Sequence, residues 1–211
     1  AHYQSTGPEL WSQTGGEIDA FVAGLGTGGT ISGTGAFLKE QNPEVQLVGI
    51  DVHGSVYYDF WKTGKVVDAY SYKVEGIGED FFPSTINISI IDDIIQLTDK
   101  ECFDATRALA RQEGIYTGGS GGAAVLGAIR YAEKMDREMN IVVLLPDSAV
   151  RYLNKIFDDD WMRENGFLDP EESLGSIRDM LAMKNPKVIV SDRSAKIESV
   201  IELMKQEGIS Q

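Results

Sequence analysis

Apolar positions along the first 150 residues fall into two kinds of stretch. Ile18 to Ala23, Val45 to Ile50 and Ile141 to Leu145 are short and almost wholly apolar, the pattern of strands buried on both faces of a parallel sheet. Between them, Ile31 to Glu40, Thr98 to Glu113 and Gly122 to Met139 repeat their apolar residues at helical spacing. Asp99, just after Thr98, is a start signal for the second of these helices, and Gly114 is its stop. Strands alternating with helices predict an α/β layered sheet. Ser55 to Ile94 is less regular and rich in Tyr, Gly and Asp, which predicts a long loop region near a site.

After Asp147 the pattern changes. Val150 to Asn165 has helical spacing through Tyr152, Leu153, Ile156, Phe157 and Trp161, and Gly166 ends it. Leu168 to Pro186 contains Asp169-Pro170 and Asn185-Pro186 and reads as a linker with an amphipathic turn or two. Lys187 to Val190 predicts a short strand, and Ala195 to Glu207 a helix with Ile197, Val200, Ile201 and Met204 on one face. The expected division is a main domain over 1–168, a linker over 169–186, and the start of a second domain over 187–211, too short to bury a core of its own.

Composition narrows the function. The chain has 211 residues, 42% of them hydrophobic and 25% charged, values of an ordinary globular protein. A net charge of −14 argues against a nucleic-acid partner, because no basic stripe is available to displace counterions. Cys102 stands alone, so no disulfide framework exists within the chain and a reducing cytoplasm is the expected location. The apolar runs are too short for a membrane span. His2, His53 and Cys102 lack metal-ligand spacing, so no metal site is expected.

The most informative segment is Gly24-Leu25-Gly26-Thr27-Gly28-Gly29-Thr30, set between a predicted strand and a predicted helix. Glycines let backbone amides approach an anion closely, and a helix N-terminus adds unpaired N–H donors with a partial positive charge. Thr27 and Thr30 can add hydroxyl donors. A tight turn alone needs fewer glycines, so the segment predicts a phosphate cradle. Gly24, Gly26 and Gly29 also satisfy the dinucleotide fingerprint, with Asp51 near the position of a ribose-binding acid. A second cluster, Gly118-Gly119-Ser120-Gly121-Gly122, opens a further helix. Two glycine-rich strand-to-helix turns suit a compact ligand gripped at two points, one holding phosphate and the other presenting Ser120.

Four ordered motifs carry a resemblance. Gly26-Thr27-Gly28-Gly29-Thr30, Glu75-Gly76-Ile77-Gly78, Gly118-Gly119-Ser120-Gly121-Gly122 and Leu145-Pro146-Asp147-Ser148 follow the order of the β-family of pyridoxal-phosphate enzymes, fold type II. Tyr152-Leu153-Asn154-Lys155 and Asp160 to Leu168 resemble the cystathionine β-synthases more than the plain cysteine synthases. The tail from Val188 resembles the first strand and helix of a Bateman-type regulatory module.

The resemblance implies a three-layer αβα domain with a mostly parallel sheet, plus the truncated start of a Bateman-type domain. It implies pyridoxal 5′-phosphate as cofactor, its phosphate on Gly26, Thr27, Gly28, Gly29 and Thr30, Gly76 beside the ring, and Ser120 at the pyridine nitrogen. Tyr3 resembles a tyrosine near the family's substrate pocket. The implied reaction is β-replacement in transsulfuration, condensing serine and homocysteine to cystathionine, within a homo-oligomeric parent. O-acetylserine sulfhydrylase is the alternative within the class, and a non-catalytic nucleotide-binding module the alternative outside it. The family's Schiff-base lysine lies in a Ser-x-Lys-Asp-Arg segment upstream of the phosphate loop. Ser71-Tyr72-Lys73 mimics its start but lies downstream and reads as a surface lysine. The chain is therefore expected to be an inactive C-terminal fragment, with no catalytic residue of its own.

Overall fold

The computed structural model describes residues 1–169 and 189–208. The chain forms two compact units, Ala1–Asp169 and Pro170–Gln211. In the first, the elements run α1 (Thr6–Gln13), β1 (Ala20–Gly24), α2 (Gly29–Gln41), β2 (Gln46–Val52), α3 (Tyr57–Thr63), β3 (Asp93–Leu97), α4 (Asp99–Glu113), α5 (Gly119–Ala132), β4 (Ile141–Val143) and α6 (Asp159–Glu164).

The four strands form one sheet in the order β3-β2-β1-β4, every pairing parallel. Ala20 lies opposite Gln46 on one side and Ile141 on the other, which brings the C-terminal ends of β1 and β4 together. Successive side chains of β1 point to opposite faces. Phe21 and Ala23 join Leu47, Ile31 and Leu38 of α2 and Tyr57 of α3 in one core. Ala20 and Val22 join Val48, Ile50, Phe103 of α4 and Ala123, Ala128 and Tyr131 of α5 in the other. The sheet thus sits between two helical layers, the α/β arrangement expected from the sequence.

Boundaries and some elements differ from the expectation. α3 falls inside the stretch expected to be irregular and β3 straddles its end, and the residues of α1 show no helical apolar period. β4 is half-buried, not buried, because it is an edge strand with one neighbour among the described residues. α4 starts at Asp99, where its acidic signal placed it, and Thr98 is the N-cap, its hydroxyl accepting from the Glu101 amide while the Glu101 carboxylate accepts from the Thr98 amide. Gly114 closes the helix at φ 69°, as its position predicted. α5 begins three residues before the expected start and ends at Ala132, where the charged run Glu133 to Glu138 offers little apolar face to continue it. The helix expected over Val150 to Asn165 is broken into a 3₁₀ turn at Ala149–Tyr152 and α6, because the Asp158 carboxylate accepts from the Trp161 amide and starts a new helix.

In the second unit the described residues hold one helix, α7 (Ile197–Gln206), and Ile189 and Val190 have no regular structure. Ile197 and Ile201 on its apolar face are exposed. The linker expected over 169–186, apart from Asp169, and the Lys187-Val188 part of the expected strand lie outside the described residues.

Candidate active site

The two glycine clusters meet at the C-terminal end of the sheet. A cavity of about 110 Å³ there is lined by Gly24, Gly26, Thr27, Gly28, Gly29, Thr30, Gly76, Ile77, Ser120, Leu144 and Pro146. All seven residues singled out from the sequence as cofactor contacts, Gly26, Thr27, Gly28, Gly29, Thr30, Gly76 and Ser120, therefore share one wall. Water takes about 30 Å³ each in the liquid, so the space holds several non-hydrogen groups.

The first side is built by β1 and α2. β1 delivers the chain to Gly24, and Gly28 at φ 83° turns it into the helix without a side-chain cap. The amides of Gly29, Thr30 and Ile31, in the first turn, have no preceding carbonyl to bond, so the loop presents free donors. Glycine is required here for more than the positive φ: a β-carbon on Gly28 would lie 2.6 Å from Cα of Ile86, and one on Gly26 would lie 2.9 Å from the Gly76 carbonyl oxygen. The Glu75 to Gly78 loop is fastened against this segment by the Gly78 amide, which donates to the Leu25 carbonyl at 2.6 Å. Of the two threonines, Thr30 places its hydroxyl 3.4 Å from Nε2 of His2, and Thr27 is exposed.

The second side is the start of α5. Here the expectation of a strand-to-helix turn is corrected: Gly118 follows α4 through the irregular Ile115-Tyr116-Thr117, because Gly114 has already reversed the chain. The glycines of this cluster serve packing more than ligand approach. A β-carbon on Gly119 would lie 3.2 Å from Phe103, and one on Gly122 would lie 2.6 Å from the backbone nitrogen of Thr106. Close helix contact puts Ser120 at 3% exposure on the cavity wall, and its hydroxyl has no hydrogen-bond partner among the described residues. Gly76 faces it: a β-carbon there would lie 3.7 Å from Oγ of Ser120.

Sequence reasoning quoted Asp147 without giving it a role. Its Oδ1 accepts from the Gly118 amide at 3.1 Å and its Oδ2 from the Tyr152 hydroxyl at 2.7 Å, while the Asp147 carbonyl accepts from the Thr117 hydroxyl. One carboxylate thus ties the end of the sheet to the start of α5. Burial, then the bond to Asp147, pushes the Tyr152 phenol up to about 12, so it remains the donor. Tyr57 was also missed. Its buried hydroxyl donates to the Gly26 carbonyl at 2.6 Å across 31 residues of sequence, a contact with no local signal.

Three other candidates lie elsewhere. Asp51 is wholly buried, and its Oδ2 accepts from the Tyr58 amide at the start of α3. It lines no part of the cavity, so the ribose role suggested by the dinucleotide fingerprint has no acid to perform it. Tyr3 is also outside the cavity: its hydroxyl donates to Glu40 at 2.6 Å near the far end of α2, and its ring stands edge-on to Phe37. Lys73 is exposed, and its backbone amide is held by Asp99.

A family profile described as "Pyridoxal-phosphate dependent enzyme" matches residues 1–147. Among curated proteins, cystathionine beta-synthase of Apis mellifera is 43% identical over 170 residues, covering 81% of this chain and 33% of that protein. The Dictyostelium discoideum cystathionine beta-synthase is 36% identical over the whole chain and 44% of its own length. That of Saccharomyces cerevisiae is 35% identical over the whole chain and 46% of its length. The chain thus spans between a third and a half of the length of these relatives. With the match covering both glycine loops and the strand between them and Asp147, the chain belongs to the family of pyridoxal-phosphate dependent enzymes and is similar to its cystathionine β-synthases.

Proposed function

We propose that this chain supplies the phosphate-binding and ring-nitrogen sides of a pyridoxal 5′-phosphate site in a β-replacement enzyme that condenses serine with homocysteine to give cystathionine and water. The observation that carries the reading is Ser120, a buried residue whose uncharged hydroxyl has no hydrogen-bond partner among the described residues and lines the same cavity as the Gly26 to Thr30 loop. A hydroxyl that faces the cavity with no partner of its own is available to hydrogen-bond a ligand there. The residues fit the cofactor at both ends: backbone donors without side chains for a dianionic phosphate, and a neutral hydrogen-bonding group for a ring nitrogen.

When bound, pyridoxal phosphate supplies an electron sink for charge developing at the α-carbon of an amino acid. Ser120 sets how strong that sink is. Its hydroxyl can bond a ring nitrogen without the negative charge that would hold a proton there, which favours loss of a β-substituent over transamination. Gly76 leaves room beside the ring, and Asp147, through Gly118, holds the turn that carries Ser120. Support for the substrates comes from the relatives, which bear the name cystathionine beta-synthase. A homo-oligomeric whole protein and a cytoplasmic location belong to the same reading; the buried thiol of Cys102, pushed up by burial, is consistent with the latter.

The test is Ser120→Asp in the full-length parent, loaded with cofactor. Cystathionine formation is expected to slow while pyridoxamine phosphate accumulates from side transamination. Unchanged turnover with no pyridoxamine product would remove Ser120 from the ring.

A further inference from the structure

We propose that Tyr57 and Thr85 are positioning residues for the cofactor: their hydroxyls pin the Gly26 and Thr27 carbonyls so that the Thr27 and Gly28 amides are turned toward the phosphate. This rests on the reading of Gly26 to Thr30 as a phosphate cradle.

The geometry starts from the peptide plane. In a trans peptide the C=O of one residue and the N–H of the next point in opposite directions. Fixing a carbonyl on one side of a loop therefore aims the following amide to the other side. The Tyr57 hydroxyl donates to the Gly26 carbonyl at 2.6 Å, and the Thr85 hydroxyl donates to the Thr27 carbonyl. Neither carbonyl has another donor among the described residues, and the Thr27 and Gly28 amides have no acceptor there. Both residues line the cavity.

Such pins matter because the loop is rich in glycine. Gly26 and Gly28 lower the barrier to rotating the peptides between them, and a flipped peptide would turn a carbonyl oxygen, the negative end of its dipole, onto a phosphate dianion. Each hydroxyl bond opposes one flip.

The pins are themselves held. Tyr57 is wholly buried, its ring edge-on to Phe82 at 5.6 Å, and it sits at the start of α3, where Asp51 accepts from the next amide. Burial pushes its phenol above the ordinary range, which keeps the hydroxyl a donor. Thr85 lies on a strap over the loop. The next residue, Ile86, packs over Gly28, and the amide of Asn87 donates to the Ser32 hydroxyl of α2 at 2.8 Å. The start of α3 and the strap between α3 and β3 therefore act on the cradle from outside, through one hydroxyl each.

The experiment removes each hydroxyl and leaves the shape. Apo protein with Tyr57→Phe, Thr85→Val or Thr85→Ser is titrated with pyridoxal 5′-phosphate and with pyridoxal, which lacks the phosphate. Tyr57→Phe and Thr85→Val are each expected to weaken pyridoxal phosphate binding about tenfold, the effect of one lost hydrogen bond. Pyridoxal affinity should change less than about twofold, and Thr85→Ser should behave as wild type. Equal losses for both ligands, or no loss for either, would overturn the proposal, as would Thr85→Ser failing like Thr85→Val. Should Tyr57→Phe perturb folding, the Thr85 pair decides alone, since it changes a strap at the surface. Wild-type protein that holds pyridoxal phosphate no tighter than pyridoxal would instead refute the cradle itself, and the proposal with it.

Discussion

The joint between α4 and α5 places Ser120, and two glycines of α5 test it against each other. Changing either Gly122 or Gly127 to alanine gains the same intrinsic helix preference, about 1 kcal/mol. Their surroundings differ. A methyl at Gly122 would lie 2.6 Å from the backbone nitrogen of Thr106 and 2.7 Å from its Cα. Carbon contacts are most favourable near 3.5 to 4.0 Å, so about 1 Å must be recovered by moving one helix from the other. A methyl at Gly127 meets instead the end of the Ile50 side chain, which can rotate away. Overpacking against backbone costs about 1 to 3 kcal/mol. Less the helical gain, Gly122→Ala should lose up to about 2 kcal/mol, a fall in melting temperature of up to about 6 °C for a unit of this size. Gly127→Ala should stay within about 1 kcal/mol of wild type, its propensity gain offsetting its repacking. Thermal denaturation followed by circular dichroism measures both. A Gly122→Ala protein that melts as high as Gly127→Ala would show that the α4–α5 joint is slack and that Ser120 is not held by it.

Three further outcomes are expected. Gly28→Asp should abolish cofactor retention after dialysis, because it puts a side chain and a negative charge in the loop at φ 83°, a backbone region that favours glycine; unchanged cofactor content would sink the cradle. Asp51 is raised from 3.8 to about 6, by burial first, against bonds from Ser55 and Tyr58 that lower it. Because the folded protein then binds this proton more tightly than the unfolded chain, stability falls as pH rises from about 4 to about 6, by up to about 3 kcal/mol, and stays lower above. In Asp51→Asn that contribution should vanish, so wild type must gain stability relative to the variant in urea denaturation as pH is lowered through that window; a constant difference would refute it. Finally, no lysine among the described residues lines the cavity, and Lys73 is exposed with its amide on Asp99. Borohydride treatment of this chain with pyridoxal phosphate should give only scattered adducts, and a single stoichiometric adduct at Lys73, with cystathionine formed, would contradict the site.

Local chemistry read from residues alone reached the parts of the site that lie on one stretch of chain. Glycines 26, 28 and 29 with their threonines announced a tight turn into a helix, because conformational freedom and free amides are properties of the segment itself. The apolar runs announced β1 and β2 because burial on both faces of a sheet leaves no polar positions. Where the reading went astray, a distant partner had overruled the local pattern. β3 was hidden because Asp93 and Gln96 interrupt its apolar run, Asp93 pairing with Lys134 in the turn after α5. The long helix expected after Val150 was cut by a single carboxylate, Asp158, whose bond to an amide outweighs an apolar period that continues on either side.

What the sequence by itself determined is the chemistry available: a glycine-rich loop with its threonines, a serine among glycines and an α/β frame to carry them. Only tertiary structure decided which of these act together. It put Ser120 across a cavity from Gly26 to Thr30, sent Asp51 to the start of α3 and Tyr3 to Glu40, and gave Asp147 and Tyr57 their holds on the two loops. The reason is physical. A turn's conformation follows from its own residues, whereas the direction of a side chain and the partner of a carbonyl depend on which surfaces the packed core brings within about 3 Å, and those lie tens of residues apart along the chain.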